Sequence, residues 1–195
     1  MKKIILSFAL AIITTAGIQA QTSTTTADVK VNVILRPTLS IEVNPNIPND
    51  GGELEESGAV NLVYKNANDY ANGITKTIPS HLKVSSIGSG YKVHAQVANQ
   101  NLNRSVGEGA ETMSGELVKV RINDGQERKI SELNGKQEMY YNGGGNGSSG
   151  SVLNQELAVT YRAEQLNTEQ IANLMGPNGA AARYTTTVTY TITTP

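Results

Sequence analysis

The chain has 195 residues, of which 16 are basic and 17 acidic, and it contains no cysteine, no tryptophan and one phenylalanine. The lack of cysteine excludes thiolate metal sites, Fe–S clusters, a cysteine nucleophile and a disulfide scaffold, and a net charge of −1 leaves no basic surplus to neutralise a nucleic-acid backbone. Only His81 and His94 are available to a histidine-based metal centre, so neither a metal nor another cofactor is expected, and no nucleic-acid partner.

The N-terminus has the pattern of a targeting segment. Lys2 and Lys3 precede the apolar run Ile4–Ile13, and the small residues Ala16, Gly17 and Ala20 follow. This predicts a signal peptide over 1–20, cut between Ala20 and Gln21, and a chain exported to the periplasm, the cell surface or the exterior of a bacterium. Losing Lys2 and Lys3 takes the net charge from −1 to about −3. No later stretch reaches the roughly 18 apolar residues that span a bilayer, so no transmembrane helix is expected in the mature chain. Gln21–Thr26 reads as a polar, flexible leader.

Beyond the leader, the dominant hydrophobic period is two. Val29, Val31, Val33 and Leu35 alternate with Asp28, Lys30 and Asn32 and stop at Arg36-Pro37, where pairing is broken. Leu39, Ile41 and Val43 follow, then Val60, Leu62 and Tyr64, then Leu82 and Val84, and then Tyr91, Val93, Ala95 and Val97. Val118, Val120 and Ile122 form the next run, and Leu157, Val159 and Tyr161 another. Tyr184, Thr186, Val188, Tyr190 and Ile192 close the chain. Alternation of this kind puts apolar side chains on one face of a strand. Asn-Gly or Asp-Gly dipeptides begin at Asp50, Asn72, Asp124, Asn134, Asn142, Asn146 and Asn178, and they mark turns that accept positive φ. One helix is expected after Asn167, with Gln170 completing a capping box, Ile171, Leu174 and Met175 at helical spacing, and Gly176-Pro177 as the stop. Together these predict an all-β, Ig-like or Greek-key antiparallel sandwich over residues 36–195, with a short helix before the C-terminal strand.

Chemistry is hard to find in this pattern. Asp50, Glu53, Glu55 and Glu56 gather in one loop, which could offer oxygens to calcium but lacks EF-hand spacing and reads as a solvated acidic loop. Asn142–Ser151 is rich in glycine and serine but has no lysine, so it is a surface loop rather than a phosphate cradle. His94 is expected on the polar face of its strand and His81 in a connection. Ser85, Ser86 and Ser89 lie near them without a nucleophile elbow. No enzymatic activity is expected.

The run Val29–Leu35 stands apart, between a polar leader and a proline. It can be the ordinary first strand of its own sandwich, or a donor strand that completes the sheet of another copy, with alternate side chains filling pockets. The stretch ADVKVNVILRPTLSIEV resembles the start of mature pilins of the alternate chaperone–usher class, with a donor strand, a Pro-Thr turn at Pro37-Thr38, and a first core strand at Leu39-Ser40-Ile41. The small-residue patch Gly179–Ala182 and the final ARYTTTVTYTIT are also similar to fimbrial subunits. The resemblance implies a structural surface subunit that polymerises with copies of itself through Val29, Val31, Val33 and Leu35, assisted by a periplasmic chaperone and an outer-membrane usher. A second resemblance, carried by Gly90-Tyr91-Lys92-Val93 and by Tyr184–Thr191, is to WxL-like bacterial cell-surface β domains, whose tryptophan motifs this chain lacks. It implies the alternative of a monomeric surface domain that binds a wall polymer or a partner protein.

Overall fold

A computed structural model describes residues 29–48, 52, 54–143 and 150–195. The expected signal peptide, the polar leader up to residue 28, Asp50 and Glu53 of the acidic loop and most of the glycine–serine loop lie outside the described residues. The chain divides into two compact units, residues 1–34 and 35–195. Of the first, only residues 29–34 are described, and they form no strand ladder.

The second unit is an antiparallel β-sandwich. Its elements in chain order are β1 (Thr38–Val43), α1 (Ala67–Asn72), β2 (Ile74–Ile87), β3 (Tyr91–Val97), β4 (Leu102–Val106), β5 (Thr112–Met113), β6 (Val118–Ile122), β7 (Arg128–Lys129), β8 (Gln137–Asn142), β9 (Val152–Ala163), α2 (Thr168–Leu174), β10 (Arg183–Thr185) and β11 (Val188–Thr193). One sheet has the order β1-β2-β9-β6-β7, and two three-stranded sheets have the orders β11-β3-β8 and β10-β4-β5. The period of two explains the packing. In β3, Tyr91, Val93, Ala95 and Val97 are buried while Lys92, His94 and Gln96 are half-buried on the other face. In β9, Leu157, Val159, Tyr161 and Ala163 are buried in the same way. All of these except Ala163 join Leu82, Val84, Val120 and Ile122 in one hydrophobic core. Tyr91 brings a hydroxyl into that core and donates it to Gln155 Oε1 at 2.6 Å, which satisfies the buried polar group.

The helix expected after Asn167 is present as α2. The Asn167 side chain accepts from the Gln170 N–H at 2.8 Å, and Gln170 Oε1 accepts from the Asn167 N–H at 2.8 Å. Asn167→Ala should therefore lower stability by about 1 kcal/mol, read as a reduced urea midpoint with an unchanged slope.

The structure corrects the sequence reading at three places. Val60, Leu62 and Tyr64 alternate but belong to no strand. Val60 and Leu62 pack on the core, while Tyr64 stacks on Tyr70 at 4.9 Å and donates its hydroxyl to the Glu164 carbonyl. Their apolar surface is covered by packing, without a ladder. A second helix, α1, follows Asn66, whose side chain caps the N–H groups of Asn68 and Asp69. Its lack of apolar periodicity hid it. His81 lies inside the 14-residue strand β2 and is buried, with 3 % of its surface exposed. Ile78 pairs with Val159 and Leu82 with Leu157, so Pro79, Ser80 and His81 stand opposite the single residue Ala158. Proline cannot donate to a ladder, and the resulting bulge re-aims the following side chain inward.

Candidate functional site

The four residues expected to act between subunits are all solvent-exposed: Val29 by 83 %, Val31 by 80 %, Val33 by 82 % and Leu35 by 89 %. Ile34, which the alternating pattern passed over, is exposed as well. Such a run of large apolar side chains in water is a cost that a covering surface would remove.

On one side of the sandwich two sheet edges meet. β1 is an edge strand of its sheet and β11 is an edge strand of another. The two lie side by side, yet no ladder joins them. Leu39, Ile41 and Val43 of β1 stand opposite Ser86, Val84 and Leu82 of β2. Val188, Tyr190 and Ile192 of β11 stand opposite Val97, Ala95 and Val93 of β3. The residues of β2 and β3 are buried. Their edge partners are only half-buried, and Val43 is exposed. Burial thus falls off toward a seam lined by apolar residues and by two strand edges that carry no further ladder among the described residues; a strand edge can template another strand. The sequence marked these residues as inward-facing. That their strands are edges is set by the topology, which alternation does not encode.

A small aromatic–polar group lies behind the seam. Tyr161 and Tyr190 share a hydrogen bond between their hydroxyls at 2.8 Å. Burial pushes the Tyr161 hydroxyl up to about 12 and raises that of Tyr190 well above its ordinary value. The His81 ring meets Tyr161 edge-on at 5.7 Å, and burial lowers its pKa. A group whose folded pKa is depressed contributes stability above its ordinary value, about 6.5, and loses it as pH falls through the folded one. The melting temperature should therefore drop between neutral pH and pH 5, and His81→Leu should reduce that drop.

His94 is half-buried on the outer face of β3, in register with Thr191 and Glu138. Glu56 of the acidic loop lies 3.5 Å from Arg183. Among the described residues no cluster of three or more His, Asp or Glu is placed to hold a metal, and no helix is long and apolar enough to cross a membrane. A shallow open hollow of about 840 Å³ lies between Arg104, Ile171, Met175 and Pro177. The Arg104 guanidinium there donates to the Gly109 carbonyl.

No protein-family model matches the chain, and no curated protein matches it.

Proposed function

We propose that the chain is an exported, non-enzymatic surface subunit of pilin-like character, which joins to copies of itself by donating residues 29–35 to the β1/β11 seam of the next copy. One observation carries this reading: among the described residues the same chain holds an exposed apolar run of period two outside any ladder and a sandwich with an apolar seam between two strand edges that carry no further ladder. The two are complementary by type. Apolar side chains at alternate positions would enter the seam at roughly 1.5–3 kcal/mol each. The donor backbone would pair with a free edge at about 0.5–1.5 kcal/mol net per hydrogen bond. Until it is filled, the seam needs protection from wrong partners, which is the task a periplasmic chaperone and an outer-membrane usher would perform.

The experiment is peptide capture. A peptide spanning Ala27–Leu35 should bind saturably to a chain that lacks residues 21–35. A peptide of the same composition with its alternation shifted by one residue should not. Equal binding of the two, or of neither, would count against strand donation and leave the monomeric surface domain as the better reading.

A further inference from the structure

We infer that the β1/β11 seam is closed in the free subunit and latched by the Tyr161–Tyr190 hydroxyl pair, so that a donor strand enters only after β11 moves away from the five-stranded sheet. This rests on the strand-donation reading above, and concerns what controls entry.

Neighbouring strands of a sheet lie about 4.7–4.9 Å apart. A donor paired in plane with both β1 and β11 would therefore hold these two about 9.5 Å apart, twice that spacing. In the subunit, Cα atoms of β1 and β11 approach within 8 Å of each other, and no ladder joins the two strands. Where they approach, they are too close to admit a strand between them. β1 and β11 have six residues each, and the run 29–35 has seven. A donor laid along the seam thus covers the close approach wherever it falls. A donor raised out of the plane of the edges would give up part of each ladder, and its alternate side chains would be lifted out of the space between the sheets. Full pairing requires the edges to part.

β1 is paired to β2 along its whole length, from Thr38 opposite Ile87 to Val43 opposite Leu82. β11 is paired likewise to β3, from Val188 opposite Val97 to Thr193 opposite Lys92. Freeing either strand from its own sheet would break several backbone hydrogen bonds at once, so the easier motion tilts the two sheets apart at this side. The Tyr190 side chain resists that motion. It reaches from β11 to Tyr161 of β9, hydroxyl to hydroxyl, at 2.8 Å. β9 belongs to the sheet of β1 and lies two strands in from that edge. The bond therefore ties the edge of one sheet to the middle of the other. Tyr161 is buried, and a buried hydroxyl that loses its partner carries a desolvation penalty. Another hydroxyl bond between the sheets, Tyr91 to Gln155 at 2.6 Å, starts from β3, which is not an edge. An opening that hinges on the inner strands strains the bond from β11 and spares the one from β3.

The acceptor in the test is the chain expressed from Gln21 and carrying Val31→Asp, whose own strand should not donate while its seam is intact. A fluorescent peptide spanning Ala27–Leu35 is mixed with the acceptor at increasing acceptor excess, and the rate of anisotropy change is followed. A closed seam gives a rate that levels off at high concentration, because opening becomes limiting. Tyr190→Phe in the acceptor should raise that plateau about two- to tenfold, the weight of one neutral hydrogen bond. Tyr91→Phe also deletes a hydroxyl bond between the sheets but leaves the edge tied, so its plateau should match the parent. If the parent's rate rises in proportion to concentration throughout, the seam stands open, and strand donation survives without a latch. A plateau that Tyr190→Phe leaves unchanged, or that both variants raise alike, would show that the hydroxyl pair is not the latch. If the peptide does not bind saturably, strand donation itself falls, and the latch with it.

Discussion

Val31→Asp should abolish assembly, whereas Lys30→Asp, one residue away, should leave it intact. Val31 is in the middle of the exposed apolar run, and in the proposed joint its side chain enters the seam of the next copy. A carboxylate there would be taken out of water without a partner. The cost is far above the loss of the valine methyls, because a buried charge needs pairing or protonation. Lys30 points to the opposite face in any regular strand, so its substitution changes only exposed charge, an effect within about 0.5 kcal/mol. Both variants should leave the melting temperature of the isolated subunit unchanged, since neither side chain contributes to the core. Sedimentation of freshly expressed protein separates the two outcomes. Loss of assembly in both variants, or in neither, would mean that face-specific insertion is not how the copies join.

The second large effect concerns the sandwich itself. Tyr91→Ala should destabilise it by about 3–5 kcal/mol, the range for removing a large aromatic side chain from a core. Tyr91 has no exposed surface, its ring lies 6.1 Å from that of Tyr140, and its hydroxyl donates to Gln155. Against a typical domain stability of about 5–15 kcal/mol, that loss is a large fraction. Tyr91→Phe should cost nearer 1 kcal/mol, because Gln155 Oε1 keeps the Asn142 amide at 3.4 Å as a donor. Urea unfolding of the two variants gives both numbers. Similar costs for the two would show that the hydroxyl, and not the ring, anchors this part of the core.

The strands that form the centre of the sandwich were legible because each buries one face, which forces alternation in Tyr91–Val97, Val118–Ile122 and Leu157–Tyr161. The α2 cap was legible because Asn167 and Gln170 act within one turn of chain. Residues whose role comes from distant partners were not. β4 reads LNRSV and β8 reads QEMYYN, and each has a single buried side chain, Leu102 and Met139. His81 was hidden because its burial follows from a bulge opposite Ala158, a property of the pairing with β9. On the candidate site, the donor run was visible as a period of two that ends at a proline. The seam was not, since Leu39, Ile41, Val188 and Tyr190 alternate just as core residues do. They are left half-buried only because β1 and β11 fall at sheet edges.

Strand donation between copies is tested most directly by measuring mass and hydrogen exchange together on the chain expressed from Gln21, across a wide range of concentration. Strand donation predicts species heavier than the monomer that persist on dilution, with the amides of residues 29–35 protected in them and open in any residual monomer. A monomer at every concentration would contradict it, whether residues 29–35 are protected within that monomer or exchange freely.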